Sequence, residues 1–187
     1  MPGLSVRLEW PSRSVEVGGR HGGGTIGGMG LTSTRATKAL DAAGTEYRVL
    51  AYDVSEAVGD GYGVAVAAAI GLPAAQVFKT LVAEVDGVAV VALVPVARRL
   101  STKLLARVSG TKRCVVASPK VAERVTGYVV GGVSPFGQRR RLRTFVDESA
   151  LEHGGIAVSG GRRGLQLVVE PQRLLTVLDA VTARLVT

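Results

Sequence analysis

Two apolar runs of strand length stand side by side near the middle of the chain, and they constrain the fold more than any other feature. Residues 78–85 and 88–94 are rich in valine, alanine and leucine, and Asp86 and Gly87 separate them. An Asp-Gly pair between two such runs is the strongest short-range signal for a β-hairpin. The sequence therefore predicts an antiparallel strand pair, which argues against a doubly wound parallel sheet.

Glycine, proline and capping residues divide the rest of the chain into short elements. Predicted helices cover 34–40, 64–70, 101–108 and 120–125, and a last one begins at Pro171 with Leu174, Leu175, Leu178 and Val181 on one face. Further strands are predicted at 47–52, 113–117, 144–146, 155–158 and 165–169. Because strands outnumber helices and no internal repeat is visible, we expect an α+β fold with a mixed or antiparallel sheet.

The chain of 187 residues has the length of one domain, and its 47% hydrophobic content excludes wholesale disorder. The first 30 residues differ, because glycines crowd together and no apolar period emerges there. We expect residues 1–30 to be a flexible glycine-rich N-terminal extension and residues 31–187 to be a single domain. The extension lacks the Gly-Lys-Ser/Thr ending of a phosphate-binding P-loop. The globular pattern begins at Met29, so deletion of residues 1–28 is expected to leave fold and activity intact.

Cysteine and histidine are scarce, which limits the chemistry available to the chain. The single Cys114 excludes an internal disulfide framework and a multi-cysteine metal site. His21 and His153 lie far apart in the sequence, so we expect no metal and no cofactor. No apolar run approaches the ~18–20 residues that span a bilayer, and no secretory signal is visible. The expected location is the cytoplasm, without a membrane partner.

The formal net charge of +8 suits a polyanionic partner such as a nucleic acid. The densest basic run covers residues 138–143 and contains Arg139, Arg140 and Arg141. Such a run can track a phosphate backbone, although a merely solvated basic face is the competing explanation. A DNA-binding protein is a weaker alternative, because no predicted helix carries the Arg-, Lys- or Asn-rich face of a recognition helix.

Lys79 lies at the start of the first hairpin strand, between Phe78 and Thr80. As an outward-facing strand residue it would have no special role, since side chains alternate between the two faces of a sheet. If it points into a cleft instead, its ammonium group can hold a phosphate or polarise a carbonyl. Both interpretations stay open at the level of these residues.

Two glycine-rich segments could line the same cleft. Residues 127–137 combine Gly131 and Gly132 with a Ser-Pro pair, and glycine lets a backbone approach a ligand closely. Consecutive amide groups in such a loop can bind an anion or a carbonyl oxygen. Residues 158–164 follow a predicted strand and contain Ser159, Gly160 and two arginines. A plain turn is the alternative explanation for each segment.

No motif for an enzyme nucleophile is present. The chain lacks a Gly-x-Ser-x-Gly elbow, a His-Glu-x-x-His pair and a Rossmann glycine fingerprint after a strand. Cys114 lies in a predicted strand, where a buried cysteine is usually a small hydrophobic residue. We therefore expect no nucleophilic triad from the protein itself.

In combination, three segments resemble the YbaK/ProX family of aminoacyl-tRNA editing domains, close to its Cys-tRNA(Pro) deacylase branch. The segments are residues 78–81, 126–137 and 158–165, and they occur in the order and spacing of the family. The resemblance covers about residues 34–185. It implies a mixed, partly barrel-like β-sheet surrounded by helices, and release of a wrong amino acid from tRNA by hydrolysis or cyclisation.

The resemblance also implies roles for individual residues. The lysine that matches Lys79 contacts the terminal adenosine and phosphate region, and the loop that matches 131–135 faces the aminoacyl ester. The substrate-binding residues implied are Tyr52, Tyr62, Gly131, Gly132, Ser134, Pro135, Ser159 and Gly160, with Lys79 as the catalytic residue. The run Arg139, Arg140 and Arg141 is expected to bind tRNA.

Two positions depart from the family pattern. Gln166 stands where the Cys-tRNA deacylases carry an acidic residue, and residues 64–67 are wholly apolar where the family often has acids. Loss of a carboxylate near the pocket changes the expected pH dependence or amino-acid selectivity.

The function expected from this resemblance is that of a free-standing trans-editing deacylase. It would remove a small mischarged amino acid from tRNA by substrate-assisted or water-mediated cleavage of the ester. The main expected substrate is Cys-tRNA(Pro), from which it would remove cysteine. The expected partners are aminoacylated tRNA and prolyl-tRNA synthetase. The alternative is a non-catalytic tRNA- or synthetase-binding module of the same fold.

Overall fold

Strands and short helices alternate in the part of the chain that the computed structural model describes, residues 15–18, 33–53 and 61–187. The helices are α1 Arg35–Ala42, α2 Tyr62–Ala69, α3 Thr102–Ser109, α4 Pro119–Thr126 and α5 Pro171–Leu178, with 3₁₀ turns at Ala74–Gln76 and Glu148–Glu152. The strands are β1 Val15–Gly18, β2 Arg48–Tyr52, β3 Phe78–Val85, β4 Val88–Pro95, β5 Cys114–Val116, β6 Arg143–Asp147, β7 Ile156–Ser159, β8 Leu165–Val169 and β9 Val181–Ala183.

The predicted hairpin forms the centre of the larger sheet. β3 and β4 pair antiparallel from Phe78 opposite Pro95 to Val85 opposite Val88. Asp86 and Gly87 both have positive φ, 46° and 83°, as the type I′ hairpin turn requires. The strand order of this sheet is β5-β3-β4-β6-β9, in which β6 is parallel to β4 and to β9. The hairpin prediction is confirmed.

A second, smaller sheet has the strand order β1-β2-β8-β7. β2 and β8 pair antiparallel, as do β8 and β7, whereas β1 is parallel to β2. An isolated parallel bridge between Val77 and Ala157 connects the two sheets just before β3. The result is an α+β fold with mixed sheets that are partly wrapped but not closed into a barrel, and the predicted fold class is confirmed.

Capping residues begin and end the helices where the sequence indicates. The Thr34 side chain accepts a hydrogen bond from the Thr37 N–H and forms a capping box at the start of α1. Ser101 and Ser118 cap α3 and α4 in the same way. Gly110 ends α3 in the left-handed conformation that glycine adopts without penalty.

Two strands near the ends of the chain, β1 and β9, are not among the strands predicted from the sequence. β1, which pairs with the edge of β2, lies inside the segment expected to be a flexible extension; the rest of residues 1–30 lies outside the described residues. The proposed boundary at residue 31 therefore stays a prediction. Val181 belongs to β9, not to the last helix, because Asp179 takes a left-handed φ of 51° directly after Leu178.

Two main clusters of buried side chains form the core between the sheets and the helices. One unites Phe78, Phe136 and Leu165 with the apolar faces of α1 and α5, and the other packs Leu105 of α3 on Phe145. β4 is buried from Val90 to Pro95, so it has no free face. By contrast, residues 79–81 of β3 are only half-buried, and this strand is therefore open to a pocket. No described helix is long and apolar enough to cross a membrane.

Candidate active site

A pocket of about 430 Å³ opens against the first half of β3. α2 forms one wall, the start of α4 forms another, and Val130, Gly131, Val133 and Ser159 close the side next to β7 and β8. Most of the lining is apolar. The polar side chains in the lining are those of Tyr62, Lys79, Thr80, Ser159 and Gln166. The volume falls in the range of about 300–1,000 Å³ that is usual for small-ligand pockets.

Lys79 lies at the start of β3 and lines this pocket. Its Nζ atom is 3.4 Å from the carbonyl oxygen of Val96, to which it donates. The side chain is half-buried, and Phe78 beside it is held in the core. The sequence left open whether Lys79 is an ordinary outward-facing strand residue or points into a cleft. In the structure it lines a cleft.

Tyr62 and Gln166 line the pocket, and Tyr52, which is buried outside the lining, connects them in a polar chain. The Tyr52 and Tyr62 hydroxyl oxygens are 3.2 Å apart, and Gln166 Nε2 donates to the Tyr52 hydroxyl over 3.4 Å. Burial raises the pKa of the Tyr62 hydroxyl far above its usual range, and the hydrogen bond with Tyr52 raises it further. The Tyr62 phenol therefore resists ionisation, and its ring and hydroxyl form part of the pocket wall.

Two buried polar atoms of the pocket wall have no hydrogen-bond partner. They are Oε1 of Gln166 and Oγ1 of Thr80, and the Gln166 side chain is only 6% exposed. A buried acceptor without a partner costs about 1–3 kcal/mol of stability. Each of these atoms is closed to solvent, so a ligand would reach it only after the side chain moves.

Gly131 lines the pocket, whereas Gly132 lies on the other side of the same loop. Gly131 has a φ of +91°, and a Cβ atom there would stand 2.7 Å from Nε of Arg163. Only glycine fits this position without strain. The Gly132 N–H donates to the carbonyl of Val129 over 2.9 Å, so this amide is already used inside the turn.

Three further residues expected at the site lie outside the pocket lining. Ser134 is fully buried, and its hydroxyl accepts a hydrogen bond from the Phe136 N–H. Pro135 lines a separate groove next to α1 and α5. The Gly160 N–H donates to the Leu165 carbonyl, and Gly160 packs against that side chain. These residues shape the loops, and the structure does not bring them into the pocket lining.

The basic run also lies elsewhere. Arg139, Arg140 and Arg141 are exposed, and Arg140 and Arg141 line the groove that contains Pro135. Arg141 forms an exposed ion pair with Asp179, with 3.8 Å between the charged atoms. The structure thus separates these arginines from the pocket of Lys79.

The pocket lining contains no cysteine, histidine or carboxylate among the described residues. The Ser159 hydroxyl accepts a weak hydrogen bond from the Gly161 N–H over 3.4 Å and has no base in the described lining to activate it. Burial raises the pKa of the Cys114 thiol on β5, which keeps it in the poorly nucleophilic protonated form. The arrangement suits a substrate that brings its own nucleophile or uses water.

Sequence reasoning misses the contributions of Thr80 and Arg163. Arg163 reaches over the loop, where its guanidinium carbon lies 6.0 Å from the centre of the Tyr62 ring. Its Nη2 atom donates to the carbonyl of Val130 over 3.4 Å. The adjacent Arg162 and Arg163 are visible in the sequence as a basic pair, but only the packing of the two glycine loops reveals which way they face.

Comparisons with known proteins point to one family. The profile of the aminoacyl-tRNA editing domain matches residues 62–177. EbsC of Enterococcus faecalis, which carries the provisional name Cys-tRNA(Pro)/Cys-tRNA(Cys) deacylase, is 35% identical over 123 residues, or 65% of this chain and 75% of that protein.

Solved structures share the fold. A protein described provisionally as a trans-editing enzyme for prolyl-tRNA synthetase matches with a TM-score of 0.74 and 25% identity, over 86% of this chain and 99% of that one. A scaffold protein used to present grafted linear epitopes matches with a TM-score of 0.73 and 25% identity, over 85% of this chain and 99% of that one.

The fold and the pocket define the class of protein. The chain belongs to the aminoacyl-tRNA editing domain family, since the family profile covers more than half of its residues. Its enzyme class is that of an aminoacyl-tRNA deacylase.

Proposed function

We propose that the chain is a free-standing trans-editing enzyme that removes cysteine from Cys-tRNA(Pro). The observation that carries this proposal is one pocket in which Lys79 and Gly131 line the same cavity and no enzyme nucleophile is present in the described lining. An aminoacyl ester is already an activated bond, so orientation and charge stabilisation suffice to cleave it.

Lys79 would anchor the terminal nucleotide. Its ammonium group is a compact cation at the pocket rim, held near the Val96 carbonyl and the apolar wall. A cation at this place attracts the phosphate of the 3′-terminal adenosine and brings the ester toward Gly131. The Tyr62 hydroxyl, which lines the same pocket, would form a further hydrogen bond with the substrate.

The backbone of Gly131 would stabilise the ester oxygen. The pocket side of the loop is formed by Val130, Gly131 and Val133, and a Cβ atom at Gly131 would clash with Arg163. Arg163 therefore covers one side of this glycine, and a substrate would approach the backbone from the pocket side. Because the N–H of Gly132 is bonded to Val129, we assign the oxyanion contact to Gly131 rather than to the glycine pair.

The nucleophile would come from the substrate or from water. In Cys-tRNA the cysteine thiol attacks its own ester carbonyl, a C–S bond forms, and the C–O bond to the ribose breaks. The thiol proton passes to the departing ribose oxygen, and the amino acid leaves as a cyclic thioester. For an amino acid without a thiol, water attacks the same carbonyl and the free amino acid leaves. Neither route needs a protein cysteine, histidine or carboxylate.

The preference for cysteine rests on the apolar lining and on the name of a relative. The wall formed by residues such as Val66, Val77 and Ala122 is apolar. An apolar wall of this kind favours an uncharged side chain such as that of cysteine over a charged one. The Enterococcus faecalis relative is named for Cys-tRNA(Pro) and Cys-tRNA(Cys), and the name of one solved structure supports prolyl-tRNA synthetase as a partner in the same process.

A panel of charged tRNAs tests the proposal. The purified full-length chain is incubated with Cys-tRNA(Pro), Ala-tRNA(Pro), Cys-tRNA(Cys) and Ser-tRNA(Thr), and release of amino acid is followed over time. We expect the fastest release from Cys-tRNA(Pro). Faster release from Ala-tRNA(Pro) would overturn the cysteine preference, and binding of all four without release would identify the chain as a non-catalytic tRNA-binding module.

A further inference from the structure

Two glycine-rich loops pack face to face beside the pocket. They are residues 127–132 and residues 159–164. A Cβ atom on Gly132 would stand 2.8 Å from the Cα atom of Arg162, and one on Gly161 would stand 2.8 Å from the Tyr128 ring. Gly131 and Ser159 face the pocket, whereas Gly132 and Gly161 face away from it into a second groove. This pair of loops separates the two cavities.

The second groove, which we call the arginine groove, has a volume of about 400 Å³. Arg35, Arg162 and Arg163 line it, and all three are exposed. Among the described residues that form its lining, none is acidic. A surface with three guanidinium groups and no carboxylate in its described lining attracts polyanions and above all phosphate groups.

Arg35 is held in place before any ligand arrives. Its Nη2 atom donates to the carbonyl of Gly127, and its guanidinium lies 4.3 Å from the centre of the Tyr128 ring. The Tyr128 ring is itself fixed, because its hydroxyl donates to the Phe136 carbonyl over 2.7 Å and the side chain is buried. A guanidinium stacked on a buried ring loses little freedom on binding a phosphate.

Arg163 connects the groove to the pocket. It lines the arginine groove, yet its guanidinium reaches over Gly131 toward the ring of Tyr62 on the pocket wall. A ligand that extends from the pocket past Gly131 would therefore meet Arg163.

We infer that the arginine groove binds the phosphodiester backbone of the RNA strand whose aminoacylated 3′ end occupies the pocket. This inference rests on the proposed function for the identity of the strand. Arginine binds phosphate oxygens through two parallel hydrogen bonds, which suits a chain of phosphates leaving the pocket. The groove, and not the run Arg139, Arg140 and Arg141, holds the strand nearest to the ester.

The test compares two double variants that remove the same amount of charge. Arg162→Ala/Arg163→Ala removes groove arginines, and Arg140→Ala/Arg141→Ala removes two exposed arginines of the separate groove. Binding of uncharged tRNA(Pro) is measured over a range of salt concentrations. A second probe is the same tRNA without its unpaired 3′ nucleotides. Thermal melting of both variants verifies that they fold like the wild type.

The groove variant is expected to bind intact tRNA at least tenfold more weakly. The slope of its log affinity against log salt concentration should become shallower by about 0.7 for each phosphate that the protein no longer neutralises. The matched variant should bind nearly as well as the wild type. For the shortened tRNA the difference between wild type and groove variant should disappear. Equally weakened binding in both double variants, or a defect that persists with the shortened tRNA, would overturn the inference.

Deacylation by the wild type separates this inference from the proposed function. If the wild type releases cysteine from Cys-tRNA(Pro) but the groove variant binds tRNA normally, the inference about the arginine groove is wrong and the proposed function is supported. If no charged tRNA is cleaved but the groove variant binds tRNA with an intact 3′ end more weakly, the proposed function is wrong and RNA binding by the arginine groove is supported. Replacement of both residues by lysine should restore part of the affinity, because the charge remains while the paired hydrogen bonds do not form.

Discussion

Gln166 turns a neutral carboxamide toward the pocket. Its Oε1 atom is buried without a partner, and its Nε2 atom donates to Tyr52. In a Gln166→Glu variant, burial would raise the pKa of the new carboxyl above its usual value of about 4.3. At low pH the variant therefore carries a neutral group like the wild type, and at higher pH it carries a buried charge.

The stability of the Gln166→Glu variant should accordingly fall with rising pH. A group whose pKa is raised by folding favours the folded state below the unfolded pKa, and this contribution is lost as pH rises through the folded pKa. We expect its melting temperature to match that of the wild type near about pH 4 and to lie below it at about pH 8. A constant difference across this range would contradict the burial of the side chain in the pocket wall.

The raised pKa of Tyr62 predicts a second pH effect, a loss of stability at alkaline pH. Its pKa is raised by burial and by the Tyr52 hydroxyl, so the unfolded chain loses the phenol proton before the folded chain does. Stability from this residue is complete below about pH 10, the usual tyrosine pKa, and declines above it. Thermal melting between about pH 8 and pH 11 should show a steeper alkaline loss in the wild type than in Tyr62→Phe. Identical slopes would mean that the phenol is solvated as in the unfolded chain.

The loop pair that separates the two cavities depends on glycine. A Cβ atom at Gly132 would stand 2.8 Å and 3.0 Å from backbone atoms of Arg162, and backbone cannot move aside as a side-chain end can. Gly132→Ala is expected to lower the free energy of unfolding by about 1–3 kcal/mol, as overpacking does. Denaturant unfolding measures this decrease.

Gly61 offers the matched control for that substitution. It precedes α2 with an ordinary φ of −84°, and a Cβ atom there would meet nothing within 4 Å. Gly61→Ala should therefore change stability by no more than about 0.5 kcal/mol. Equal decreases at positions 61 and 132 would show that the loops do not pack as tightly as described.

Elements with local signals can be predicted, and those formed by distant partners cannot. The hairpin turn at Asp86 and Gly87 and the helix starts at Ser101 and Ser118 depend on residues within a few positions of each other. β9, in contrast, has three residues and pairs with β6. A strand that short acquires its conformation from its partner, so no period in the sequence reveals it.

The same distinction between local signals and distant partners applies to the site residues. Motifs in the sequence single out Lys79 and Gly131, and both line the pocket. Ser134 belongs to the same motif as Gly131 but is turned into the loop, where it accepts a hydrogen bond from Phe136. The arginine groove cannot be predicted from the sequence, because it forms only when two loops from distant parts of the chain pack against each other.

At the scale of the whole molecule, the described pocket lining contains no residue before Tyr62. β1 pairs with the fold as an edge strand beside β2. Deletion of residues 1–28 should therefore leave deacylation unchanged. The melting temperature should fall slightly, by about 2–4 °C for each kcal/mol that the β1–β2 pairing contributes. Loss of the folded state, as judged by circular dichroism, would instead make this segment part of the domain.

The deacylation rate of the Lys79→Ala variant on Cys-tRNA(Pro) tests the central claim most directly. Lys103→Ala is the control, because Lys103 is exposed on α3 and absent from the pocket lining. If the ammonium group holds the substrate in the pocket, kcat/KM should fall about 100- to 1,000-fold in Lys79→Ala, with an unchanged melting temperature and a wild-type rate for Lys103→Ala. Wild-type turnover by the Lys79→Ala variant would contradict the account.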